Sequence, residues 1–141
     1  MASITFTGET LRQMALFQDV ARVPAIDCLE SEAKVLFVVK EGEIGPAVGK
    51  GGQNVNKLRQ LLHREVQVVE HSDDPTRFIK NIFRNYGVRE VTFEERGEAT
   101  HASVQVDPLR KGRAIGKEGG NLRLARELIS RYHDVQSVVI A

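Results

Sequence analysis

At 141 residues the chain is long enough for one ordinary domain or two small ones, and its 41% apolar and 28% charged composition excludes a disordered chain. No apolar run approaches the roughly 18 residues that span a membrane, and the N-terminal MASITFTGETLRQ lacks the layout of a secretory signal. The single cysteine, Cys28, excludes an internal disulfide and a cysteine-based zinc site, while a formal net charge of +1 excludes a uniformly basic surface. A cytoplasmic protein with no membrane association is the expectation.

In chain order, Thr7 is placed to cap a helix, with Glu9 in its first turn and Leu11, Met14, Ala15 and Phe17 as its apolar stripe. Pro24 ends any continuation. Residues 25–33 are weakly strand-like and polar enough for an edge. Residues 34–40 (KVLFVVK) form the clearest strand, a β-branched and aromatic run that predicts burial on both faces. A short helix is allowed over 41–48, interrupted by Gly45-Pro46. After a glycine loop, a helix is predicted over 53–64 and a strand over 66–70.

The segment 71–75 (HSDDP) separates two halves, with Asp74 as a helix cap and Pro75 at the first helical position. Ile79, Ile82 and Phe83 give the next stripe, and Gly87 is placed to close that helix. Strands follow over 88–94, with Val91 and Phe93 on one face, and over 102–106, separated by a turn at 95–98. A short helix over 109–115, a second glycine loop, a helix over 121–132 and a strand over 135–140 complete the chain. The short linker predicts two closely joined domains, 1–71 and 75–141.

The two loops carry the functional signal. Residues 47–55 read AVGKGGQNV, and residues 114–122 read AIGKEGGNL. Gly116 lies 67 residues after Gly49, and at that offset Gly45, Ala47, Lys50, Gly52, Asn54 and Arg59 face Gly112, Ala114, Lys117, Gly119, Asn121 and Arg126. Further along, Val66-Gln67 answers Val135-Gln136. A loop repeated together with its helix and strand indicates an internal duplication. Glycines permit sharp turns and a close approach of another molecule, a following helix offers free N–H groups to an anion, and the lysine adds a positive charge. Cations concentrate around both loops. Residues 44–64 hold Lys50, Lys57, Arg59 and Arg64 with no acid, and residues 109–131 hold seven basic residues against Glu118 and Glu127. That is the footprint expected for a polyanion.

I-G-x-x-G-x-x-I between two helices is the signature of the KH RNA-binding domain. Residues 48–55 (VGKGGQNV) and 115–122 (IGKEGGNL) resemble it. The element order is similar to the type II arrangement, and two such domains filling the chain resemble the NusA family of transcription factors in its short archaeal form. The resemblance implies an α/β (α+β) fold of two tandem type II KH domains, each a three-stranded mixed sheet packed by helices. It implies single-stranded RNA as partner, clamped on its backbone by Gly49, Lys50, Gly51 and Gly52 and by Gly116, Lys117, Glu118 and Gly119. Val48, Val55, Ile115 and Leu122 would floor the adjoining grooves. Lys57, Arg59, Arg64, Arg110, Lys111, Arg113 and Arg123 would add phosphate contacts. Glu118 would repel a phosphate or need a donor, so the first loop is expected to bind more tightly in isolation. The resemblance further implies a role in transcription termination or antitermination, possible contact with RNA polymerase, a monomer, and no cofactor.

The alternatives are a ribosomal or RNA-processing KH protein and, from another class, a nucleotide-hydrolysing enzyme. The P-loop of the latter requires four residues between its glycine and a Gly-Lys-Ser/Thr. Here only three separate Gly45 from Gly49 and Gly112 from Gly116, and Gly51 and Glu118 stand where the hydroxyl belongs. No enzymatic activity is expected. The aromatic residues fall at apolar positions and read as core, Cys28 reads as a buried small residue, and the four histidines show no metal-binding spacing.

Overall fold

In the computed structural model, which describes residues 6–141, α1 (Gly8–Ala21) opens the chain. Thr7 caps it through a capping box with Thr10, its side chain accepting from the Thr10 amide at 3.0 Å. The apolar stripe differs from the expected one. Leu11 is 53% exposed and Ala15 faces outward, while Thr10, Gln13, Phe17 and Ala21 are buried. Two polar residues can lie inside because both have partners. Thr10 bonds Thr7, and Gln13 Oε1 accepts from Cys28 Sγ at 3.3 Å.

The first unit continues with β1 (Asp27–Glu30), β2 (Lys34–Val39), α2 (Ile44–Val48), α3 (Gln53–Leu62) and β3 (Glu65–Glu70). The central β2 pairs antiparallel with β1, which is indeed an edge, and parallel with β3. Val35 through Val39 are all buried. Phe17 of α1 stacks on Phe37 of β2 with ring centroids 4.6 Å apart, and Cys28, Ala47, Val55, Leu58 and Val66 close the same core.

The chain divides between His71 and Ser72. Of the segment read as a separator, His71 bonds the Val39 carbonyl of the first unit and residues 72–75 belong to the second. Ser72 is buried, and His133 Nε2 donates to its carbonyl at 2.9 Å. Asp74 caps α4 (Pro75–Ile82) as its sequence predicts, and Phe78, Ile79, Ile82 and Phe83 are buried. β4 (Val88–Arg96) and β5 (Ala99–Val106) form a longer hairpin than expected. Glu95 and Arg96, read as turn, pair with Thr100 and Ala99, leaving Gly97 and Glu98 as the connection. Val91 and Phe93 do share a face, opposite Val104 and Ala102. Phe93 is nevertheless 38% exposed, whereas Phe17, Phe37, Phe78 and Phe83 are fully buried. α5 (Lys111–Ile115) and α6 (Gly120–Tyr132) lead to β6 (Ser137–Ile140), which pairs parallel with β5.

Each unit is thus a three-stranded mixed sheet packed by helices, in one repeated order of elements. The register corrects one pairing of the duplication. Val35 opposes Val66 in the first sheet, and its counterpart Ala102 opposes Val138 in the second. Val138, not Val135, therefore stands in the place of Val66, because α6 is 13 residues long against 10 for α3 and its connection to β6 spans 133–136 against 63–64 in the first unit. Among the described residues no helix is long and apolar enough to cross a membrane, and no cluster of His, Cys, Asp and Glu could hold a metal ion.

Candidate nucleic-acid interface

Each loop joins a five-residue helix to a long one through a single turn of 3₁₀ helix. Gly49 has φ 81°, ψ 165°, and Gly116 has φ 81°, ψ 169°, a conformation open in practice to glycine alone. Each also lies against the asparagine five residues on. A Cβ on Gly49 would stand 2.8 Å from Asn54 Nδ2, and one on Gly116 would stand 2.7 Å from the Asn121 main-chain nitrogen. The next positions repeat as well, with Gly51 at φ 62°, ψ 19° against Glu118 at φ 56°, ψ 27°. Gly52 at φ 76°, ψ 16° matches Gly119 at φ 74°, ψ 13°. The two loops are the same backbone built twice.

Asparagine pins each loop, a role the sequence reading overlooked although Asn54 and Asn121 coincide in the repeat. Asn54 Nδ2 donates to the carbonyls of Pro46 and Ala47 at 3.2 and 3.3 Å, and Asn121 Nδ2 donates to that of Ala114 at 2.7 Å. The bond satisfies a carbonyl that the short helix leaves open at its C-terminus and ties the helix before the loop to the helix after it. The long helices begin at Gly52 and Gly119 with no side-chain cap; the Gln53 and Gly120 amides donate to the Lys50 and Lys117 carbonyls, and no side chain takes the N–H groups that follow in the first turn, where an anion is favoured.

Lys50 and Lys117 sit exposed beside these helix starts, as do Lys57 on α3 and Lys111 and Arg113 on α5. None of these five makes an ion pair among the described residues. Other predicted cations are already engaged. Arg59 bonds Glu65 at 2.7 Å and Asn56 at 2.8 Å. Arg64 bonds Glu30 at 3.1 Å and the Ser31 carbonyl at 3.0 Å. Arg110 reaches the Asn85 carbonyl at 3.4 Å with Asp107 3.8 Å away, and Arg123 Nη2 donates to the Glu118 carbonyl at 2.9 Å. The expected apolar floors divide in two. Val55 and Leu122 are buried at 8% and 9% exposure, whereas Val48 and Ile115 stay half-buried beside the loops.

The surroundings differ more than the loops do. Arg110, Lys111 and Arg113 occupy, at the repeat offset, the places of Glu43, Ile44 and Pro46, and Arg123 that of Asn56. The second loop therefore carries more positive charge around it and one carboxylate at its tip.

Comparison with known proteins places the fold in a family. The family described as "KH domain" matches residues 13–73, and that described as "NusA-like second KH domain" matches residues 75–140. A "Probable transcription termination protein NusA" of Thermoplasma acidophilum is 34% identical over 140 residues, covering 99% of this chain and 97% of its own. A protein of the same description from Methanocaldococcus jannaschii is 31% identical, covering 99% of this chain and 76% of its own. The crystal structure of APE1850 superposes with a TM-score of 0.74 at 36% identity, over 96% of this chain and all of that one.

Proposed function

The chain belongs to the NusA family of tandem-KH proteins, and from that premise we propose that it grips single-stranded nascent RNA through its two glycine loops and takes part in transcription termination or antitermination. It does so by contact and not by catalysis. It acts in the cytoplasm, as a monomer, on RNA near the transcribing polymerase.

The observation that carries this reading is the repetition of one anion-accepting backbone. Two loops of equal torsion each end at an uncapped helix start and expose an unpaired lysine, Lys50 or Lys117. First-turn N–H groups and a lysine suit a phosphate, and the half-buried Val48 and Ile115 offer apolar surface to a base. Gly49 to Gly52 and Gly116 to Gly119 are the clamps. Lys57, Lys111 and Arg113 are the free outer contacts, while Arg59, Arg110 and Arg123 shape the rim through their existing bonds. The first clamp lacks a carboxylate and holds phosphate more tightly.

The test is anisotropy of short labelled RNAs over a salt series, for the unaltered chain beside Lys50→Asp/Gly51→Asp and Lys117→Asp/Glu118→Asp. Binding should weaken with salt as counterions return to the phosphates. It should fall in both variants, further in the first, with circular dichroism unchanged. A folded chain that binds no RNA would end the reading, and equal losses would end the ranking of the loops. Recovery with ribosomal subunits in place of RNA polymerase would favour a ribosomal role.

A further inference from the structure

Among the described residues, three that are not glycine have positive φ: Arg22, His63 and Glu118. Arg22 and His63 close α1 and α3 in the left-handed cap position, where that torsion is ordinary. Glu118 closes no helix. It stands at the tip of the second loop, in the place that Gly51 holds in the first. The torsion disfavours any residue with a Cβ. The side chain gives nothing back to the fold. Glu118 is exposed, and among the described residues its carboxylate makes no hydrogen bond or ion pair; only its main-chain carbonyl is held, by Arg123. A strained residue with no internal partner points outward, to a ligand.

The chemistry of a carboxylate narrows which ligand feature it meets. Ionised, it accepts hydrogen bonds and donates none. The sugar–phosphate backbone of DNA offers it no donor, only phosphates of its own sign. The backbone of RNA offers one donor per nucleotide, the 2′-hydroxyl. Resting on the reading that the second loop clamps a nucleic-acid backbone, we propose that Glu118 is the residue by which this loop tells RNA from DNA. Its carboxylate accepts from a ribose 2′-hydroxyl and turns a deoxy backbone away. The first loop has no side chain at its tip and grips either backbone. A Cβ built on Gly51 meets nothing within 4 Å, so there is room to move the device there.

The experiment uses the full chain carrying Lys50→Asp/Gly51→Asp, which leaves the second loop to bind alone. Anisotropy is read with short randomised RNA, with the same sequences in 2′-deoxyribose, and with 2′-O-methylribose, which accepts but cannot donate. With Glu118 in place, RNA should be favoured over both by roughly ten-fold, and Glu118→Gly should shrink the ratios to about two-fold, chiefly by tightening the deoxy probe. Glu118→Gln, uncharged but still accepting, should fall between. In the reciprocal background, Lys117→Asp/Glu118→Asp, the further change Gly51→Glu should create the preference in the first loop. Glycine relieves the torsion at 118, so misfolding does not confuse the result. Probe ratios left unchanged by Glu118→Gly overturn the proposal while leaving RNA binding intact. Absence of RNA binding in the first background, when the unaltered chain binds, overturns it as well. If the unaltered chain binds no RNA, the proposed function fails first and takes this proposal with it.

Discussion

The two glycine loops follow one path and are enforced by different neighbours. At Gly49 the space for a side chain is closed by the amide of Asn54, a group at the end of a rotatable side chain. At Gly116 it is closed by the main-chain nitrogen and Cβ of Asn121, which cannot move without moving α6. The pins differ in the same sense, one asparagine making two long bonds and the other a bond of 2.7 Å. A duplication thus keeps a backbone while redistributing what holds it. The first loop is the more forgiving copy, and the second is tightly held yet burdened at its tip.

Alanine at the two leading glycines tests this contrast hardest. Gly116→Ala should cost about 3 kcal/mol and Gly49→Ala about 2 kcal/mol, read from urea unfolding, because strain is common to both while only Asn54 can yield. The reverse order would break the comparison. Removing the pins comes next. Asn121→Ala should cost about 1.5 kcal/mol and Asn54→Ala about 1 kcal/mol, with faster amide exchange confined to the loop altered. The tips should then move in opposite directions, Glu118→Gly stabilising and Gly51→Glu destabilising by about 1 kcal/mol each, in thermal melts. Lys50→Ala and Lys117→Ala should leave stability unchanged and each lower the salt slope of RNA binding by about one.

The sheets extend the contrast. Lys34 opposes Glu65 at the head of the first parallel pair, and in the equivalent place His101 Nδ1 meets Ser137 Oγ at 2.6 Å. Burial holds the Lys34 amine down at about 8, against a partial upward pull from Glu65. The folded chain then binds fewer protons than the unfolded chain between about 8 and the ordinary 10.5, so stability should rise with pH through that window. Lys34→Met should flatten the rise, and an unaltered rise would place its source elsewhere.

The loops and their helices were legible in the sequence because glycine at fixed spacing has few structural meanings and the spacing occurs twice. The central strand was legible because a β-branched run has nowhere to go but a core. What failed depended on partners that residue type and spacing do not name. Thr10 and Gln13 are polar and sit inside, since Thr7 and Cys28 receive them. Glu95 and Arg96 look like a turn until Thr100 and Ala99 pair with them. In the site, counting cations could not separate Lys50, which is free, from Arg59 and Arg64, which are ion-paired. Asn54 and Asn121 were visible as a repeated letter, but their role depends on the carbonyls that α2 and α5 leave open.

Cys28 brings a practical consequence. The chain's one sulfhydryl is 1% exposed and donates to Gln13, so thiol-specific reagents in solution have no sulfhydryl to reach on the folded chain. Gly51→Cys or Glu118→Cys would then supply a sole attachment point at one loop tip. A crosslinker or fluorophore placed there would report which loop a nucleotide enters, and when, without any other cysteine having to be removed.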